Sequence, residues 1–409
     1  MNANYLMGSQ SKMKVFSSHH NNLTELEVFG LSAQYNLADG HSYISAEKHF
    51  SNVLSELPLL WSSAVETPVP EMEKLFKNKF AEYFALEGLS KHTHFSVCPT
   101  ASNSIDIVGA WARSMNYKVG LVEPTFDNLA QLLRRREVEL EAISEVVLTD
   151  MALLEELLYS KQLDALFMVN PNNPTGLVID AATMSNIVEL CSRLDVVLIL
   201  DTSFRFCHKT DIDEYALLIE KGCSFIILED TGKQWPTLDT KASLLSYSEN
   251  LARDIRNIYE EIYLCCSNFS LRLIIAFIDA TLKKGGLSYI QSIISRNIEI
   301  ATSELKDSMI TIEALEPDST MTIMWLNIEK TGLSDLELTE YLATYSVAVL
   351  PGRYFYWNSH QVAGHNRIRI ALLKPDDQFG PSILRLKMAL ANLKDVKTSS
   401  NKNLVESVC

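Results

Sequence analysis

FIILEDTGKQWPTLDTKASLL, Phe225 to Leu245, begins as an apolar run suited to a buried strand and breaks off at Glu229-Asp230-Thr231-Gly232-Lys233. A second lysine, Lys241, stands further along the same stretch. A lysine just past a strand is ordinarily a solvated surface charge. Two upstream runs weigh against that reading. Phe167-Met168-Val169 leads into NPNNPTG (Asn170 to Gly176), and Val196 to Leu200 leads into Asp201-Thr202-Ser203. Three strands that each deliver polar groups at their C-terminal ends are what an open parallel sheet with one ligand crevice requires. Lys233 is therefore a candidate site residue.

Outward from these runs the chain alternates between strand-like and helix-like sequence. Phe95-Ser96-Val97 leads through Cys98-Pro99 into Thr100-Ala101-Ser102, and a helical run from Ile105 to Met115 follows. A small-residue loop that opens a helix offers unpaired N–H groups to an anion such as phosphate, although most such loops are only caps. Lys118 to Val122 is strand-like and ends in Glu123-Pro124-Thr125-Phe126-Asp127-Asn128, with helical sequence from Leu129 to Arg135. Ala181 to Leu194 and Glu214 to Gly222 are amphipathic and lie between the strands already named. This alternation predicts βαβ units and a parallel sheet covered on both faces, an α/β fold. Helices are expected over 44–62, 71–86, 250–262, 269–282 and 288–307. Further on, strands are expected at 308–314, 320–328 and 366–372, with helices at 334–345 and 379–393.

With 409 residues the chain is long enough for two domains. No apolar run approaches the roughly 20 residues that span a bilayer, and no secretory leader opens the chain, so a cytoplasmic protein with no membrane partner is expected. The seven cysteines (98, 191, 207, 223, 265, 266 and 409) lack metal-ligand spacing and sit mostly among apolar residues, which reads as reduced core thiols. A net charge of −15 argues against a nucleic-acid partner. It suits a cationic substrate, with acidic solubility the blander explanation.

Residues 1 to 20 read as a mobile arm, His19 and His20 as surface side chains. In NNLTELEVFGLSAQYNLADGH, Asn21 to His41, Thr24 and Glu27 have the spacing of a capping box, and Asp39-Gly40-His41 reads as a turn.

NPNNPTG after one strand, Asp201 after the next and Lys233 after the third resemble the signature of the fold-type I pyridoxal-phosphate (PLP) enzymes. This aspartate aminotransferase superfamily resemblance runs over roughly residues 60 to 395. It implies a PLP-dependent transferase fold, with a three-layer αβα large domain of mostly parallel sheet and a smaller α+β C-terminal domain. The layout expected is an arm at 1–45 closing over the site, a large domain at 46–285, a small domain at 286–395 and a flexible tail at 396–409. Lys233 would carry the cofactor as a Schiff base, and Asp201 would face the pyridine nitrogen and keep it protonated. Asn173 would meet the ring's phenolic oxygen, and Phe126 the ring face. Thr100, Ala101, Ser102, Thr231 and Lys241 would hold the phosphate; the family more often uses arginine where Lys241 stands. Arg369 would grip a substrate α-carboxylate, with Arg367, one strand period away, as the alternative. Where many of these aminotransferases carry a tyrosine that donates to the phenolic oxygen, this chain has Phe204, and Ser203 is the candidate replacement. Homodimers are typical, with Tyr259 and Tyr263 as candidates to reach across.

NLTELE with NLADGH, LPLLW, EPTFDNLAQLLR, LDTSFRF and EDTGKQWPTLDTKASLL together resemble the PLP-dependent arginine oxidases and hydroxylases of enduracididine-type pathways, over about residues 21 to 375. That resemblance implies oxidation of free L-arginine by O2 to 2-ketoarginine and its 4-hydroxy form, releasing ammonia and H2O2. Glu27, Asp39 and Asp230 would meet the guanidinium, Thr24 would lie near the substrate, and His41 would transfer protons. For Thr24 and Glu27 the capping role stays open beside this one. The alternatives for the chain are an ordinary aminotransferase, or a desaturase or cyclase acting on an arginine derivative.

Overall fold

The computed structural model describes residues 22–208, 212–237, 240–313, 320–358 and 362–406; the expected mobile arm with His19 and His20 lies outside these. Thirteen strands occur among the described residues: β1 (Tyr35–Asn36), β2 (Phe95–Cys98), β3 (Lys118–Glu123), β4 (Glu139–Ser144), β5 (Ala165–Val169), β6 (Val197–Asp201), β7 (Phe225–Asp230), β8 (Ser243–Tyr247), β9 (Thr311–Ile312), β10 (Ile323–Asn327), β11 (Val347–Ala348), β12 (Leu350–Pro351) and β13 (Arg367–Ala371).

Seven of them form the main sheet in the order β2-β8-β7-β6-β5-β3-β4. All neighbours are parallel except β8, which runs antiparallel to both β2 and β7. Every residue of β5, β6 and β7 is buried. Helices on both faces exclude water, so these strands read as continuous apolar runs with no alternation. Each Leu, Ile or Phe so buried contributes about 1.5–3 kcal/mol, and a charge placed mid-strand at Ile199 or Ile227 would break this layer.

The helices between the strands carry their own stop and start signals. Asp150, Asp180 and Asp213 each accept a backbone N–H from the first turn of the helix they precede. Helix Ala181–Leu194 ends with Asp195 in the left-handed conformation.

A four-stranded antiparallel sheet, β12-β13-β10-β9, has its own apolar cluster, with Leu326, Ile368 and Ile370 packed against Leu338, Leu386 and Leu390. Helix Phe379–Glu406 covers it and continues past 393, where the sequence predicts a tail. A third, small cluster seats the first helix, Leu23–Gly30, through Leu23 and Leu26 against Trp325, Leu350 and Phe355. Between that helix and the main sheet the chain crosses as a strap, Leu37 to Tyr43, held by Leu37 N–H to Ala348, Ala371 N–H to Leu37 and Tyr43 N–H to Leu373.

Candidate functional site

The C-terminal ends of β5, β6 and β7 open on one cavity of about 360 Å³. Asn173, Asp201, Ser203, Asp230 and Lys233 line it from these strand ends, and Lys241 from the approach to β8. Thr100, Ala101 and Ser102 line it from the start of helix Ala101–Ser114, Phe126 from the loop after β3, and Arg369 from β13. Thr24, Glu27 and His41 come from the N-terminal segment. Fourteen of the sixteen residues singled out in the sequence thus meet in one place; Thr231 and Asp39 do not line it.

Where the start of helix Ala101–Ser114 lines it, the cavity presents donors that suit an anion. Thr100 caps the helix, its Oγ1 accepting Asn103 N–H at 3.2 Å and donating to Asn103 Oδ1 at 2.7 Å. The first-turn N–H groups of Ala101 and Ser102 have no carbonyl within the helix to bond, and the helix dipole favours negative charge there. Lys241 adds an ammonium. A Cβ on Gly232 would lie 2.8 Å from Lys241 Cδ, so only glycine lets the lysine stem pass so close to the chain. Thr231 departs from expectation. Its hydroxyl donates to Ala242 O at 2.9 Å and accepts Ala242 N–H at 2.8 Å, so it ties the strand end to the Lys241 segment and has no donor left for a phosphate.

Asp201 lines the same cavity, with Ser203 donating to its Oδ1 through N–H (2.9 Å) and Oγ (2.5 Å). Burial pushes the Asp201 carboxyl up from its ordinary range, while these bonds and the Lys233 charge pull it back. The Ser203 hydroxyl is therefore spent on Asp201. Phe204 lines the cavity as a hydrocarbon wall. Arg205, next along, is buried and braces this loop. Its Nε and Nη2 bond Glu229 at 2.9–3.1 Å, and Nη1 bonds Glu214 at 2.6 Å. Arg205 thereby ties the loop after β6 to the end of β7, where Asp230 and Lys233 begin.

Arg369 is 1% exposed, beside the edge-to-face rings of Phe126 (6.0 Å) and Phe355 (5.7 Å). Its Nη2 donates to Glu27 Oε1 at 3.1 Å and to Ala38 O, and its Nη1 to Asn173 Oδ1 at 3.4 Å. Burial lowers its affinity for its proton, and Glu27 restores part of it. Arg367 points elsewhere, pairing with Glu313 at 2.8 Å, so of the two arginines Arg369 alone lines the cavity.

The first helix is capped by Asn22, whose Oδ1 accepts Glu25 N–H at 2.8 Å. The capping-box spacing of Thr24 and Glu27 is thus unused, and both side chains face the cavity. Glu27 also accepts Gly40 N–H at 3.4 Å.

Asp39 does not line the cavity. Its Oδ1 accepts His41 N–H at 2.9 Å and lies 2.6 Å from His41 Nδ1, and its Oδ2 accepts the Tyr43 hydroxyl. Burial works to raise this carboxyl, but the His41 bond, the His41 and Lys374 charges and Tyr43 hold it well below the carboxylate range. An ionised carboxylate only accepts, so the Nδ1 beside it carries a proton, and Nε2 lies 2.8 Å from Lys241 Nζ. Asp39, expected to meet a guanidinium, is thus engaged by His41 and Tyr43.

Tyr259, expected to reach a partner subunit, is 2% exposed and donates to Val97 O at 2.8 Å within its own chain. Three residues escaped the sequence reading. Thr125 is buried with its hydroxyl unbonded at the cavity wall. Arg205 is in LDTSFRF, where a charge amid aromatics was the available signal. Lys374 follows β13 and is 3% exposed.

The class I and II aminotransferase family profile matches residues 62–378. No curated protein sequence matches the chain. Among solved structures, that of MppP soaked with its product 2-ketoarginine is similar, with 30% identity over 87% of this chain and 99% of that one and a TM-score of 0.79. A PLP-bound putative aminotransferase from Clostridium difficile 630 (18% identity, 92% and 96% of the chains, TM-score 0.73) shares the fold. So does the aspartate aminotransferase of Thermus thermophilus with maleate (13%, 91% and 97%, 0.73). The donor set fits PLP: one cavity holds helix-start N–H groups and an ammonium suited to a phosphate, a buried carboxylate, a lysine and an aromatic ring. The chain belongs to the class I and II aminotransferase family, with PLP as its cofactor.

Proposed function

We propose that this enzyme oxidises free L-arginine with O2, giving 2-ketoarginine and, after a second oxidation, 4-hydroxy-2-ketoarginine. For the ketone, arginine, O2 and water give 2-ketoarginine, ammonia and H2O2. The hydroxylated product takes up a second O2 and a second water and releases a second H2O2. The observation that carries the reading is the juxtaposition, around Lys233, of a buried arginine and two carboxylates, Glu27 and Asp230, in one cavity. An amino acid with a cationic end needs both. The similarity to MppP, whose product is the keto acid of arginine, supports it.

Bound PLP supplies an electron sink for the electrons freed at the substrate α-carbon. Arg369 would take the α-carboxylate in a bidentate pair, competing with Glu27 for the guanidinium it now holds. Glu27, so released, would join Asp230 on the substrate guanidinium, with Thr24 beside it. Lys233 would hold the cofactor and move the α-proton, and His41 would accept or return a proton on the strap side. Asn173, Ser102, Ala101, Thr100, Lys241, Phe126 and Asp201 would hold the cofactor, with Ser203 fixing Asp201. Phe204 in place of a hydroxyl donor sets this site apart from an ordinary transaminase. The first helix and strap would shield the reacting atoms from water. A homodimer in solution goes with this reading.

The test is an oxygen electrode with L-arginine and no keto acid. Oxygen uptake with H2O2 and 2-ketoarginine in the product mixture is expected. Turnover that appears only when a keto acid is added, without oxygen uptake, would make the enzyme an aminotransferase.

A further inference from the structure

Two successive carbonyls of the strap are each held by a buried cation. Arg369 donates to Ala38 O, and Lys374 Nζ donates to Asp39 O. Arg369 has a place in the site already. Lys374, 3% exposed, does not.

A buried lysine can be purely structural. Lys77 is one such: its Nζ donates to three carbonyls, Leu89, Ser90 and His92, at 2.8–3.0 Å, and so ties down a helix end. Lys374 makes one hydrogen bond to a carbonyl and lies 4.8 Å from the centre of the Tyr43 ring. Its charge is balanced by groups of the site: Asp39 from the strap and Glu27 from the first helix attract it, while Arg369 from β13 and Lys233 from the loop after β7 repel it. Asp376, two residues on, is turned toward Lys48 and His49. The carbonyl that Lys374 holds belongs to the residue whose carboxylate orients His41, and the Tyr43 ring beneath it donates to that same carboxylate. Lys374 thus contacts Asp39, which bonds the imidazole, and Tyr43, whose hydroxyl bonds Asp39.

We propose that Lys374 is a positioning residue of this site: it pins the Asp39–Gly40–His41 strap so that the imidazole meets Lys241, and it sets a positive charge beside Lys233. Burial pushes the Lys374 ammonium down to about 8, with Asp39 and Glu27 opposing, so it remains charged at neutral pH and below. In the holoenzyme, where Lys233 would hold the cofactor, a fixed positive charge nearby disfavours a second one at that attachment point, and the cofactor's visible absorption reports the balance.

The test uses resting holoenzyme without substrate: the visible absorption of the cofactor is titrated across neutral pH in the parent, K374M, K374Q and K374R. Loss of the charge in K374M is expected to raise the spectral midpoint by about half a pH unit or more. K374R is expected to stay close to the parent. K374Q supplies the uncharged comparison where K374M does not yield folded protein with full cofactor content. A midpoint unmoved in the uncharged variants, or moved as far in K374R, overturns the inference. The inference rests on the cofactor and on His41, not on arginine as substrate. The titration needs no substrate, so its failure is distinct from a failure of the oxygen-electrode test.

Discussion

Asp39 shows how the partners of a carboxylate decide its task. In the sequence, Asp39-Gly40-His41 offers an acid and an imidazole near other acids, and a guanidinium-binding role follows from the resemblance alone. Its actual direction is set by Tyr43, four residues on, and by Lys374, 335 residues away, which no local pattern joins. Since the Asp39 carboxylate dictates that Nδ1 is protonated, Asp39→Asn should leave the fold intact while presenting an amide that stabilises the other tautomer. The expected result is a fall in kcat for arginine of about 10²–10⁴-fold, as for a misoriented imidazole in a triad, with KM changed less than about threefold. Steady-state oxygen uptake measures both constants. A raised KM with kcat unchanged would return Asp39 to the substrate.

The first helix is the element whose role the sequence leaves most open. Thr24 and Glu27 look like a capping box, and only the position of Asn22 as the actual cap reveals that they are free for the cavity. A second capping group comes from far away. Asp127 Oδ2 accepts Leu23 N–H at 3.0 Å and Gln131 Nε2 at 2.9 Å, while Oδ1 is buried without a partner. Burial, reinforced by Glu27 and Glu25, pushes the Asp127 carboxyl up to about 7, against the Leu23 bond that favours its charged form. With the helix undocked, Asp127 meets water and regains its ordinary value of 3.8. Docking therefore takes up a proton between these two values. The stability of the docked helix is greatest below about 4 and declines as pH rises toward about 7. Amide exchange of Leu23–Gly30 should accelerate over that range relative to the main sheet. Asp127→Asn keeps an acceptor for Leu23 N–H and removes the charge, so the pH dependence should flatten. An equal slope in the variant would assign the effect to another group.

At the scale of the whole molecule, the legible parts are those with local causes. The runs at 165–169, 197–201 and 225–230 announce themselves because central parallel strands are apolar throughout, and their polar ends converge because all three point the same way. β8 does not announce itself: it pairs antiparallel with β2, some 150 positions earlier, and with β7, so it alone of the seven strands runs against the others. β1 and β11, two residues each and also parallel, are set by tertiary contact alone. The same separation governs what truncation would do. Leu23 and Leu26 bury against Trp325, Leu350 and Phe355, a cluster separate from the core of the main sheet. Deleting residues 1–30 removes these two leucines, about 3–6 kcal/mol of local burial, and leaves the large core and the cofactor cradle in place. It also removes Thr24 and Glu27, and with Glu27 the ion partner of Arg369 and the acceptor of Gly40 N–H. The truncated enzyme should bind PLP with the parent's stoichiometry and keep its main melting transition, while arginine-dependent oxygen uptake falls about 100-fold or more, as for loss of a closing element. Cofactor absorbance, calorimetry and the oxygen electrode on one preparation separate the outcomes. Loss of PLP would make the helix a part of the fold, and undiminished oxygen uptake would remove it from catalysis.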